Sequence, residues 1–326
     1  MRNLRVLAAS VIGIVALGAQ VPAAADSKMD FEGYSIKDQR CGQRAAVPFK
    51  CLELPKTTRN NQAWRYSFTK DPDSNHIVEI QTDPVRGKVL MLGMAPYDDG
   101  CVRRTPACSH HKKDKIEFWP VHPENDDAMD IMSSEQKFFS FEFKLDADYE
   151  VGSRMVLHMQ ARQELRGNSP IFTMYVQPEK RKDVNPATSP VDLVFVVRDD
   201  EDVRRRGQGS DDDDDGDSDA PFFRFGRAIK TQRIERNRWY RMTLQLLPAY
   251  IGSGRQGNIV MWLDGDQKFE YNGTWGYKPD PKIPRSKKIG LAFDIYRAPF
   301  QQANQKIYFD NVNYSSSLDD VKVNGH

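Results

Sequence analysis

From residue 138 onward, apolar and polar side chains alternate with a period of two, the pattern of strands that bury one face. Phe139, Phe141, Phe143 and Leu145 alternate with Ser140, Glu142, Lys144 and Asp146. Phe172, Met174 and Val176 repeat the pattern, as do Met242, Leu244 and Leu246. Shorter runs predict strands at 78–81, 88–92, 116–119, 192–197, 258–263, 289–297 and 306–314. Asp264-Gly265, directly after Val260 to Leu263, predicts a tight hairpin. No long stretch carries helical spacing. Many short strands joined by polar turns predict an all-β protein, with two antiparallel sheets packed as a sandwich or jelly roll.

The pattern breaks in two places. At the start, Arg2 and Arg5 precede an apolar stretch from Val6 to Leu17, and Ala23-Ala24-Ala25 closes it before the first acidic residue, Asp26. This reads as a signal peptide over residues 1–25, too short in its apolar part for the roughly 20 residues of a membrane span. Residues 26–326 are then expected to form one sandwich domain, secreted or periplasmic, monomeric and without a membrane partner. The second break is Asp199 to Ala220, which holds Arg204-Arg205-Arg206 and five aspartates from Asp211 to Asp215. Such composition predicts a disordered acidic loop within the sandwich. Asp211, Asp213, Asp215 and Gly216 begin like a calcium loop, but Phe222 stands where the closing glutamate belongs, which excludes an EF-hand. Loose Ca2+ binding by the acidic run stays open; no other cofactor or metal is expected.

Removing the first 25 residues takes away two arginines and no acid, so the formal charge moves from +1 to −1. That balance argues against a nucleic-acid partner, which needs a strongly basic domain. The four cysteines, Cys41, Cys51, Cys101 and Cys108, are an even set in an exported chain and are expected to form two disulfides. Pairing Cys41 with Cys51 and Cys101 with Cys108 is the simplest of three connectivities. A zinc site of Cys108 with His110 and His111 would have a nonstandard spacing.

Candidate chemistry begins at Arg154 to Arg162. Strand alternation sets Met155, Leu157, Met159 and Ala161 on one face and His158, Gln160 and Arg162 on the other. A histidine, an amide and a guanidinium in a row suit an anionic, hydroxyl-rich ligand. In Lys288 to Arg297, Leu291, Phe293 and Ile295 share one face, so Gly290, Ala292, Asp294 and Tyr296 share the other, with small residues leaving room beside the tyrosine. Trp239, Tyr240, Trp262, Trp275 and Tyr277 could supply one or two sugar-stacking platforms, core packing being the commoner fate of such rings. No Glu-x-Asp-x-x-Glu run sets paired carboxylates on one strand, which argues against a sandwich glycoside hydrolase.

The order of motifs resembles the jelly-roll polysaccharide lyases typified by heparin lyase I, with a concanavalin-like sandwich. It comprises Asp83-Pro84-Val85-Arg86-Gly87-Lys88, the His158 strand followed by Ser169-Pro170, Trp239-Tyr240, Trp262-Leu263-Asp264-Gly265, Phe293 to Arg297, and Tyr308-Phe309-Asp310-Asn311-Val312. The resemblance implies cleavage of an anionic, uronate-containing polysaccharide by β-elimination. His158 and Tyr296 match the family's catalytic histidine and tyrosine, as base and acid. Gln160, Arg162, Arg103, Arg104 and Arg297 match substrate-binding roles, in which an amide or a cation neutralises the uronate carboxylate and makes its C5 proton acidic. The family run Lys-x-Gly-x-Tyr-Arg has Ala292 and Asp294 in place of Lys and Gly here. An aspartate at that position is expected to raise the tyrosine's pKa and repel a polyanion. The competing expectation is a non-catalytic, lectin-like carbohydrate-binding protein on the same fold.

Overall fold

The computed structural model describes residues 27–29, 31–32, 35–39, 49–53, 65–68, 76–96, 114–122, 128–152, 155–163, 169–177, 189–202, 226–297 and 302–321. They form eighteen strands in chain order: β1 Ser27–Met29, β2 Ser35–Gln39, β3 Phe49–Glu53, β4 Arg65–Phe68, β5 His76–Asp83, β6 Gly87–Met94, β7 Asp114–Val121, β8 Met129–Asp130 and β9 Lys137–Leu145 come first. β10 Val156–Gln163, β11 Phe172–Val176, β12 Val191–Val197, β13 Arg227–Ile234, β14 Tyr240–Leu247, β15 Asn258–Leu263, β16 Asp266–Asn272, β17 Lys288–Arg297 and β18 Gln305–Ser315 follow, before one short helix, α1 Leu318–Val321.

Two large antiparallel sheets carry the fold. One runs β16-β15-β14-β9-β18-β6-β5, with β1 added beside β18; the other runs β13-β12-β11-β10-β17-β7-β4, with β8 added beside β17. On one edge of β18, β6 pairs with Gln305 to Phe309 and β1 with Val312 to Tyr314, so two strands share that edge end to end. The expected sandwich is therefore what the chain builds. The expected hairpin is present too: Asp264 and Gly265 take φ of 53° and 86° between the paired Leu263 and Asp266, the left-handed pair that matches strand twist.

The inward rows of the two sheets meet in one core. Phe139, Phe141 and Phe143 of β9 and Phe309 of β18 come from the first sheet, Phe118 of β7 and Phe293 of β17 from the second, and none has exposed surface. Phe293 stacks on Phe309 at 4.0 Å between ring centres and meets Phe141 edge-on at 4.9 Å. Alternation misleads at β9 in one respect: Ser140 and Glu142 are buried as well. α1 covers Ser140, whose hydroxyl donates to the Val321 carbonyl, and Asn311, Arg86 and Arg241 surround Glu142.

The charge run starting at Asp199 also needs correcting at its near end. Asp199 and Asp202 are buried, and Asp199 accepts from Arg227 and from Thr274 Oγ1 at 2.6 and 2.7 Å. Residues 203–220 of the expected loop, with the aspartates considered for Ca2+, lie outside the described residues. So do the leader, Cys41, Cys101 and Cys108, while Cys51 is described only as backbone of β3.

Candidate active site

The strand expected to carry the chemistry, β10, is interrupted by a bulge. Leu157 pairs with Tyr175 of β11 and Met159 with Met174, leaving His158 as one extra residue; across β17, Leu157 pairs with Tyr296 and Met159 with Phe293. A bulge turns two successive side chains to the same side and shifts the parity beyond it. Leu157 accordingly joins Tyr175, Val194 and Val196 in a small cluster apart from the core, with Met155 and Tyr296 packed against it, while Met159 and Ala161 enter the core.

His158 turns inward with them. It has no exposed surface, and Tyr149, itself a core residue, donates from its hydroxyl to His158 Nε2 at 2.7 Å. Nδ1 lies 3.1 Å from the Asp294 carbonyl and, as the donor there, fixes the tautomer that leaves Nε2 free to accept. Burial lowers the imidazole pKa from 6.5 to about 4, against a smaller opposing effect of the Asp294 carbonyl. The expected row of His158, Gln160 and Arg162 on one face is thus not formed. Both ring nitrogens are engaged on the core side of the sheet.

The outward face holds a different group. Asp294 and Glu117 are paired across β17 and β7, as are Tyr296 and Lys115. Gln160 reaches over from β10 and donates from Nε2 to Glu117 Oε1 at 2.7 Å and to Asp294 Oδ1 at 3.0 Å. Lys115 pairs with Glu117, and its ammonium lies 5.5 Å from the Tyr296 ring centre. Asp294, Glu117 and Gln160 are buried, while Tyr296, Lys115 and Arg162 are half-buried. Burial, and then Glu117, raise the Asp294 carboxyl well above the ordinary carboxylate range, which favours the neutral acid. The Tyr296 hydroxyl is pushed up to about 12 by burial, then by Glu117, with Arg162 opposing and Asp294 adding to the rise.

Arg162 stands opposite Gly290. Among the described residues its guanidinium takes part in no hydrogen bond or ion pair, and its charge acts on Asp294 and Tyr296. Arg297 does not join it. It is 3% exposed and donates to the carbonyls of Ala303 and Ala95, each at 2.7 Å, which ties β17 to the end of β6 and the approach to β18. A substrate-binding role for Arg297 is replaced by a structural one: it continues the row of Leu291, Phe293 and Ile295 along β17 and stands opposite the core residue Val156, which puts it on the core side. Arg103 and Arg104 lie outside the described residues.

Sequence reading missed Lys115 and Glu117. Their signal was the alternation of Ile116 and Phe118, which sends the residues between them outward toward the Tyr296 row. Of the candidate platforms, Trp275, Tyr277 and Tyr240 are buried in the core. Trp239 is half-buried on the opposite sheet, its indole N–H donating to Asp83 Oδ2 at 3.2 Å and the Lys144 ammonium lying 5.1 Å from its ring centre. Among the described residues no three His, Cys, Asp or Glu side chains are grouped to hold a metal, and no helix is long and apolar enough to cross a membrane.

No curated protein matches the sequence. Among solved structures, the chain is similar to an endo-β-1,4-glucuronan lyase from the fungus Trichoderma reesei, at 14% identity and a TM-score of 0.47, over 80% of this chain and 94% of that one. It is also similar to an alginate lyase from Pseudomonas aeruginosa, at 12% identity and a TM-score of 0.38, over 72% and 85% of the two chains. Residues 56–313 match the sequence profile of a family described as polysaccharide lyase, a span that takes in both large sheets from β4 to nearly the end of β18, and the chain belongs to that family.

Proposed function

We propose that this protein cleaves a uronate-containing polysaccharide by β-elimination, and does so outside the cytoplasm. The observation that carries the reading is the half-buried Tyr296, set between the Lys115 and Arg162 cations on the outward face of a chain in the lyase family. Arg162, half-buried on the same face, neutralises the uronate carboxylate and so makes the C5 proton removable. Tyr296, as tyrosinate, takes that proton; the C4–O4 bond breaks as the C4–C5 double bond forms; and the phenol returns the same proton to O4. One residue thereby acts as base and then as acid, ending in the state in which it began. His158 is assigned a positioning role, since its N–H holds the Asp294 peptide at the bulge.

The narrower likeness to heparin lyase I rests on motif order alone and leaves the sugar open. The test is incubation with alginate, glucuronan, heparin and hyaluronan while following the ultraviolet absorbance of the unsaturated uronate product. Absorbance should rise on at least one polymer. Binding to one of them with no absorbance gain on any would instead assign non-catalytic recognition.

A further inference from the structure

The lyase face contains two carboxyls where a polyanion must dock, and the way they are held suggests how it does so. Glu117 has a cation of its own in Lys115. Among the described residues Asp294 has no such ion pair. Its carboxyl has a single hydrogen bond there, from one N–H of the Gln160 amide, whose other N–H goes to Glu117. Its second oxygen, Oδ2, is buried and accepts from none of the described residues. The residue has no exposed surface, and Glu117 faces it in register. A buried, ionised carboxylate needs several donors to offset its lost hydration, and this one has a shared amide. With a proton on Oδ2, the same geometry becomes reasonable: Oδ1 accepts from Gln160, and the charge that would face Glu117 is gone.

The consequence is electrostatic. Among the described residues, the charged and polar groups around the Asp294 carboxyl are Glu117 and Lys115 from β7, Gln160 and Arg162 from β10, and Tyr296 on its own strand, with His158 held neutral against its carbonyl on the core side. With Asp294 neutral, the described residues of this face carry two cations, Lys115 and Arg162, against one anion, Glu117. With Asp294 ionised, the excess positive charge vanishes.

We propose that Asp294 is a specificity-determining residue that acts as a neutral carboxylic acid, and that its proton is what lets this face accept an anionic sugar. The inference deepens the lyase reading and rests on it for the class of ligand. It also accounts for the aspartate that replaces glycine in the family run: protonated, it neither repels the substrate nor opposes the Arg162 charge. The pKa direction of Asp294, raised by burial and by Glu117, agrees with the geometry.

The test is equilibrium binding of uronate oligosaccharides from the four polymers across neutral to alkaline pH, using the full chain and measuring titration heats. Wild-type affinity should fall on the order of tenfold or more as Asp294 ionises, the size of effect expected for one unit charge near a partly buried anion. Asp294→Asn, which has the shape of the protonated acid and no proton to lose, should bind with little change over the same range. Glu117→Gln removes one reason for Asp294 to stay neutral and should move the wild-type fall to lower pH. Oligosaccharides with the carboxylate reduced to an alcohol should show no such dependence.

A flat wild-type profile, or equal falls in wild type and Asp294→Asn, would overturn the inference and leave the lyase reading standing. Wild-type binding that falls with pH and is flattened by Asp294→Asn, with no absorbance gain, would uphold the inference and sink the lyase. No binding to any uronate oligomer would overturn both.

Discussion

Replacing His158 with glutamine tests whether the bulge of β10 turns that side chain inward. Glutamine can donate to the Asp294 carbonyl and accept from Tyr149 as the imidazole does, but it does not titrate. The imidazole falls from its ordinary 6.5 to about 4, and at about 1.4 kcal/mol per pH unit this gap is worth about 3 kcal/mol. Below pH 6.5 the unfolded chain takes up a proton that the native state refuses. Stability from this group is therefore complete above 6.5, is lost as pH falls toward about 4, and levels off below. Urea unfolding of both proteins from pH 7.5 to about 3.5 should show wild type losing about 3 kcal/mol more than His158→Gln, most of it in that window. Other carboxylates titrate in the same range, but their contributions are common to both proteins and cancel in the difference. Parallel curves would refute the reasoning: His158 would then titrate alike in both states, face solvent, and return as a candidate base on the outward side.

Tyr296→Phe should abolish formation of the unsaturated product while oligosaccharide affinity changes by less than about threefold; and because the hydroxyl sits at about 12, wild-type kcat should rise about tenfold per pH unit in the range below that value, read in saturating substrate. Arg297→Met should cost about 2 kcal/mol or more in urea unfolding, since one buried and one part-buried carbonyl lose their donor, with the affinity of the remaining folded protein unaltered; a selective loss of affinity would reinstate Arg297 as a substrate contact. Phe293→Ala should destabilise by about 3–5 kcal/mol, as its ring packs against Phe309, Phe141 and Phe139 from the facing sheet.

The sandwich was readable because its strands bury one face and so carry the alternation openly: Phe139, Phe141 and Phe143 all lie where a period of two puts them. The site was less readable because alternation assumes an unbroken register. One extra residue at His158 reverses parity in the middle of β10, so Leu157 leaves the core and His158 enters it. Nothing in the run Val156 to Ala161 marks that break, since a bulge is set by the neighbouring strands, β11 and β17, and not by local composition. Gln160 and Arg162 lie beyond the break and do stay outward. Asp294 was visible as a departure from the family run, but the sign of its effect depended on Glu117 and Gln160, which come from two other strands.

The position of β18 bears on the order in which the chain can be assembled. It is the last of the described strands, yet it is seated between β9 and β6, and β1, the first described strand, has β18 as its sheet partner. The other sheet shares this arrangement, since β17 separates β10 from β7. Neither sheet can close until β17 and β18 have been made: β5 can pair with β6 and β4 with β7 early, but the other edges of β6 and β7 wait for β18 and β17. A chain wired this way closes last at its centre, which favours slow, late folding and long exposure of strand edges. For a protein proposed to cross a membrane before it works, that delay is an advantage: it keeps the chain threadable until its two central strands have been made.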